Sequence, residues 1–217
     1  MLKMDMKEAE ARLRVAVFGS GRGSNFNAIQ QAIRNGSLPH VNIAVVISNN
    51  GDAGILELAR SFDIPALHLS SRQFPNEDAY VEALLTALRE RGVNFIVLAG
   101  YMKRLHPRII EAFRNRVINI HPALLPKFGG KGMYGEHVHR AVLASGDRES
   151  GASVHLVDEE YDRGPVVLRG TVPVLPSDTV DSLSARVLSL EHKLYAEALR
   201  LIAEGKISLK DTVVQRH

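Results

Sequence analysis

The chain has no cysteine in 217 residues. It therefore has no disulfide, no thiolate metal ligand and no thiol nucleophile, which suits a reducing compartment. Tryptophan is also absent, and the five Tyr and seven Phe do not interleave with basic runs. A nucleic-acid surface is unsupported on that pattern. No apolar run approaches the roughly 20 residues that span a bilayer, and the start lacks the apolar stretch of a signal peptide. Large surplus charge is missing too: 27 Lys and Arg against 24 Asp and Glu give +3. These absences lead us to expect a cytoplasmic protein with no nucleic-acid or membrane partner, a monomer or homodimer. A slight positive excess suits small anionic substrates. With 45% hydrophobic and 24% charged residues, the composition is that of a globular chain with a sizeable core.

What is present is an alternation of apolar strands and amphipathic helices, without repeats or low-complexity linkers. Strands are expected at 15–18, 41–47, 64–69, 95–100, 117–121, 152–157 and 166–174. Helices are expected near 25–33, 53–62, 76–91, from Pro107, near 136–144 and over 178–203. The strand at 95–100, FIVLAG, is nearly all apolar and reads as central and parallel. The last two strands read as an antiparallel hairpin at the sheet edge. Residues 1–13 read as an extension, residues 14–217 as one domain, and 207–217 as a short terminal strand and tail.

Three stretches carry chemistry. The first is GSGRGSN at 19–25, a glycine-rich turn between a strand and a helix. Such a turn lets backbone N–H groups approach an anion at a helix N-terminus. The spacing is neither a dinucleotide fingerprint nor a triphosphate loop. A single phosphate near Gly23, Ser24 and Asn25 is the favoured reading; a tight turn needing glycine only for positive φ is the plainer one. The second stretch is VINIHP at 117–122. Asn119 and His121 lie two apart, so they share one face of a strand, and Pro122 stops the ladder. An amide beside an imidazole at a strand's C-terminal edge suits a carbonyl oxygen that gains charge. Hydrogen bonding to the following turn would be the structural alternative. A glycine-rich loop, 122–135, follows. The third stretch is the acidic turn DEEYDRGP at 158–165. His155 falls on an alternating strand, sharing a face with Ser153 and Val157. His68 reads as an edge residue. His137 and His139 are two apart on a helix and do not share a face, so they are not expected to bind a metal. Glu191-His192, in mid-helix, reads structurally as a solvated face.

GSGRGSN at 19–25, NIHPALLPKFGG at 119–130 and DEEYDRGPV at 158–166, in that order, resemble the phosphoribosylglycinamide formyltransferase family over about residues 14–205. The resemblance implies a doubly wound α/β fold, with a mostly parallel sheet and helices on both faces. It implies transfer of a formyl group from 10-formyltetrahydrofolate, as co-substrate and without a metal, to the amine of glycinamide ribonucleotide. By the same resemblance Asn119, His121 and Asp162 are catalytic. Gly23, Ser24 and Asn25 hold the ribonucleotide phosphate. Leu188, Ser189, Leu190 and Glu191 face its ribose and glycinamide, with Glu191 accepting from ribose hydroxyls. Met102, Lys103, Arg104 and Leu105 wrap the pterin, and Asp158, Glu159, Glu160, Tyr161 and Asp162 form the folate loop together with Asn119. The N-terminal part would then carry the phosphate site and the C-terminal part the folate site. Asp162 is expected to keep His121 cationic or to orient it, since a nearby carboxylate raises an imidazole pKa. Arg104 stands where the family more often has an apolar residue, making that wall more polar. Arg163 and the longer loop after Phe128 are the other departures. A formyltetrahydrofolate hydrolase, another folate-dependent formyltransferase and a non-catalytic phosphoribosyl-binding protein are the alternatives.

Overall fold

The computed structural model describes residues 12–209. The expected extension over 1–13 and the terminal strand over 207–217 fall almost wholly outside them. In chain order the elements are β1 (Leu13–Phe18), α1 (Ser24–Arg34), β2 (Val41–Ser48), α2 (Gly54–Ser61), β3 (Ala66–His68), α3 (Glu77–Glu90), β4 (Phe95–Leu98), α4 (Pro107–Ala112), β5 (Val117–His121), α5 (Glu136–Ser145), β6 (Glu149–Leu156), β7 (Val166–Pro173) and α6 (Val180–Ala203). One seven-stranded sheet runs β3-β2-β1-β4-β5-β6-β7. Strands β1 to β5 pair in parallel, whereas β5–β6 and β6–β7 are antiparallel.

The period of two along β1 builds both halves of the core. Val15 and Val17 face one layer with Phe26, Ile29, Leu183 and Tyr195, from α1 and α6. Ala16 and Phe18 face the other with Leu84, Leu88 and Ile109, from α3 and α4. Strands covered on both faces need the continuous apolar runs seen in the sequence. Strand β6 begins at Glu149, three residues before the expected start. Polar and small residues hide that start, yet Glu149, Ser150 and Gly151 pair with Pro173, Val172 and Thr171.

Helix α6 fixes the central strands from above. Thr179 caps it by accepting from the Ser182 N–H, and the Ser182 hydroxyl oxygen accepts in return from the Thr179 N–H. Buried Tyr195 shares its hydroxyl proton between the Leu98 carbonyl at 2.9 Å and the Ile118 carbonyl at 3.1 Å. The C-terminal end of β4 and the first half of β5 are thereby tied to one helix. No described helix is long and apolar enough to cross a membrane.

Candidate active site

The strand order reverses between β1 and β4, and in open α/β sheets ligands bind outside the carboxyl ends of the strands at such a point. The two segments that leave these strands are bonded together. Ser20 N–H donates to the Gly100 carbonyl at 3.0 Å, and Met102 N–H donates to the Ser20 hydroxyl at 2.8 Å. Beyond β1, Gly23 takes φ 83 as the N-cap of α1, with no side chain capping the helix. A Cβ there would also strike Ile55. Both facts require glycine, and both leave the first N–H groups of α1 open for an anion.

Asn119 and His121 do share a face of β5, and the antiparallel neighbour β6 completes their surroundings. Asn119 pairs across the ladder with His155, and His121 with Ser153. Ser153 holds the start of the 122–135 loop, donating to the Ala123 carbonyl at 2.7 Å and accepting from Leu125 N–H at 3.0 Å. The Leu125–Pro126 bond in that loop is cis.

Asp162 lies between two imidazoles. Its Oδ2 is 3.5 Å from His121 Nδ1, and its Oδ1 is 3.5 Å from His155 Nε2. Gly130 N–H donates to Oδ2 at 2.9 Å. The Asp162 backbone has φ 55, a left-handed value that Asp tolerates better than most residues. Carbonyls fix both tautomers, because they only accept. His121 Nε2 therefore donates to the Phe128 carbonyl at 2.8 Å, and His155 Nδ1 donates to the Leu156 carbonyl at 2.8 Å. In the tautomer with the proton on Nδ1, His155 offers Nε2 as an acceptor, and Asn119 Nδ2 donates to it at 3.1 Å. His155 thus sets which way the Asn119 amide points and leaves its second N–H for a ligand.

His155 is the residue that sequence reasoning missed. Its alternation with Ser153 was visible, but nothing local showed that β6 would lie against β5. Burial makes the net shift of the His121 pKa downward, although Asp162 does pull it upward as expected, so the imidazole is not held cationic. The lowering by burial outweighs the opposing charge of Asp162 and the hydrogen bond to Phe128. His121 is therefore neutral near pH 7. Burial raises the Asp162 carboxyl, but contact with His155, the proximity of His121 and the Gly130 N–H together hold it below the usual carboxylate value.

A cavity of about 790 Å³ opens here, lined by Arg22, Ser24, Asn25, Met102, Lys103, Asn119, His121, Asp162 and Glu191, with residues 130–135 of the loop as one wall. Its size is that of a small-molecule site. A second, smaller cavity is lined by Lys103, Arg104, Leu105, Asp158, Glu160 and Tyr161. The two share Tyr101, Lys103, Asn119, Tyr161 and Asp162. The glycine turn and the acidic turn, far apart in the chain, thus open onto one junction holding the amide and the carboxylate.

Of the 188–191 segment, only Glu191 lines the larger cavity. Ser189 donates to the Ala185 carbonyl, and Leu190 packs where a Cβ on Gly170 would sit. Glu191 is not on a solvated face, being only 8% exposed. Burial raises its pKa, while a 2.7 Å hydrogen bond from Asn25 Nδ2 lowers it, for a net rise. Arg104 is exposed but lies over the acidic turn. Its guanidinium donates to the Glu159 carbonyl and stands 5.9 Å from the Tyr161 ring centre, tying the 102–105 segment to the acidic turn. Arg104→Ala, which removes this tie, is expected to weaken binding in the smaller cavity about tenfold, the scale of one charge-assisted hydrogen bond. Steady-state kinetics check this, and an unchanged KM for the ligand of that cavity would contradict it. His139 is buried near His121, with Nδ1 unpartnered. Among the described residues no group of three or more His, Asp or Glu is placed to hold a metal.

The formyl transferase family model matches residues 13–199. The chain is 43% identical over 201 residues to the chloroplastic phosphoribosylglycinamide formyltransferase of Arabidopsis thaliana, covering 92% of this chain and 68% of that protein. It is 38% identical to the phosphoribosylglycinamide formyltransferase of Haemophilus influenzae, covering 92% of each. Among solved structures it resembles glycinamide ribonucleotide transformylase 1 from Symbiobacterium toebii, with a TM-score of 0.85 and 40% identity over 93% of this chain and 92% of that one.

Proposed function

This chain belongs to the formyl transferase family, and on that premise we propose that it transfers the formyl group of 10-formyltetrahydrofolate to the amine of glycinamide ribonucleotide, a step in purine synthesis. One observation carries the assignment of roles: the two cavities meet at Asn119 and Asp162. The ribonucleotide occupies the larger cavity, with its phosphate at Gly23, Ser24 and Asn25 and its ribose toward Glu191. The pterin occupies the smaller one, between residues 102–105 and 158–162. The amine and the formyl carbon then meet where the cavities join.

The free amine attacks the formyl carbon, and the carbonyl electrons move onto oxygen. Asn119 donates its second Nδ2–H to this oxyanion. His121 donates Nε2–H once the formyl oxygen replaces the Phe128 carbonyl, which accepts that hydrogen without substrate. A preorganised donor of this kind is worth about 3 kcal/mol of barrier. Phe128 has φ 59, a left-handed conformation that costs of order 1 kcal/mol or more. Asp162, ionised and less than 4 Å from His121, accepts the amine proton through a water and returns it to the folate nitrogen as the carbon–nitrogen bond breaks. The products are the formylated amine and tetrahydrofolate. The lining contains no cysteine, and the step needs no covalent enzyme intermediate.

The test is direct. Purified protein given both substrates is expected to release tetrahydrofolate in proportion to formylated ribonucleotide. Donor consumption that proceeds equally without the ribonucleotide would favour a hydrolase instead.

A further inference from the structure

The phosphate turn has a cation that the assignment so far does not use. We propose that Arg22 is a charged anchor for the ribonucleotide phosphate, adding a guanidinium to the backbone N–H groups of α1. This rests on the reading of the larger cavity as the ribonucleotide site.

Three observations carry it. First, the Asn25 side chain leaves at most one neutral amide N–H for a phosphate. Its Nδ2 is held by Glu191 at 2.7 Å, and the Oδ1 left over is a buried acceptor with no partner. An acceptor faces a sugar hydroxyl or an amine, not a phosphate oxygen. The turn's remaining donors, the N–H groups and the Ser24 hydroxyl, are neutral, whereas the ligand is a dianion. Second, Arg22 lines the cavity beside Ser24 and Asn25 and is exposed. It has no hydrogen-bonding or ion-pair partner among the described residues. Most described arginines, including Arg108, Arg186 and Arg200, are paired with carboxylates or carbonyls. Third, no carboxylate among the described residues pairs with it, although Asp52 and Glu57 lie on the neighbouring segment that packs Gly54 against the Arg22 backbone. The first turn of α1 has no acidic residue, and Glu191, the one carboxyl on that side of the cavity, is tied to Asn25 with a raised pKa. The other unpartnered cations in the lining lie elsewhere, Lys103 after β4 and Lys131 on the 122–135 loop.

A planar guanidinium grips a phosphate with two parallel hydrogen bonds, which an ammonium does not reproduce. Arg22→Ala is therefore expected to raise KM for the ribonucleotide about tenfold, the scale of one charge-assisted hydrogen bond. Arg22→Lys is expected to recover only part of that, and KM for the formyl donor is expected to move less than about twofold. Binding measured by calorimetry with ribose 5-phosphate separates this idea from the assigned reaction. Weaker binding in Arg22→Ala than in the parent protein, restored in part by Lys, supports the anchor even if the parent transfers no formyl group. Equal ribose 5-phosphate affinity in parent and Arg22→Ala overturns it. So does a loss that falls equally on ribose, which has no phosphate.

Discussion

Asp162→Asn lowers turnover by about 10²–10⁴-fold, the range of a positioned acid–base group, with a small change in KM for the ribonucleotide. The amide fills the same space and still reaches the Gly130 N–H and both imidazoles. It cannot hold a proton in transit or carry charge opposite His121. A turnover within threefold of the parent would remove Asp162 from proton transfer. The same substitution has a second, spectroscopic consequence. Asp162 is the principal influence that raises the His121 pKa against the lowering effect of burial. Removing it is expected to lower the His121 titration midpoint further, as read from the imidazole resonances by NMR. In the parent protein the midpoint already lies below the ordinary value of about 6.5. The unfolded chain therefore takes up this proton first as pH falls. Stability from neutral His121 is complete above about 6.5 and is lost as pH drops through the window between that value and the lowered folded one. The Asp162 contribution runs in the same sense at lower pH, being lost as the carboxylate protonates below about 4. Upward displacement of the His121 midpoint in Asp162→Asn would overturn this account.

Gly164→Ala destabilises the fold by about 1–3 kcal/mol, the usual cost of overpacking, lowering the melting temperature by roughly 2–12 °C for a chain of this size. A Cβ at Gly164 would overlap the Leu156 carbonyl oxygen and its carbon. Neither can retreat easily: Leu156 N–H donates to the Pro165 carbonyl at 2.9 Å, and the Leu156 carbonyl also receives His155 Nδ1–H. The strain reaches the site from both sides, since Asp162 is two residues away and His155 orients Asn119. Turnover should therefore fall even at temperatures where the variant stays folded. Gly21→Ala is the matching control for stability, because a Cβ there meets nothing within 4 Å. Equal melting temperatures for the two variants would show that the β6–β7 hairpin opens at little cost.

Much of the fold is legible in the residues because its causes are local. The run of apolar residues in β4 requires burial on both faces, the spacing of Leu183, Val187 and Leu194 requires a helix, and glycine at 23 permits the left-handed turn. The boundaries are less legible. The start of β6 depends on its pairing with β7, and the short α4 ends at Ala112 although nothing in its sequence forbids continuation. Glu191 illustrates the same limit in the site: its helical phase is readable, but its burial depends on Asn25, 166 residues earlier.

By itself, the sequence determined that Asn119 and His121 would project from one face of a strand that stops at Pro122, since period two and proline's missing N–H are properties of the chain alone. It also determined that a helix N-terminus would stand open beside Gly23. Only the tertiary structure decided what these groups can do. The antiparallel placement of β6 set His155 against Asn119 and fixed the amide's direction. The returning acidic turn put Asp162 between two imidazoles, and burial then made His121 neutral where proximity to a carboxylate alone would have made it cationic. Charge state, tautomer and orientation depend on what surrounds a group in space, and the surroundings of these three come from segments tens of residues away.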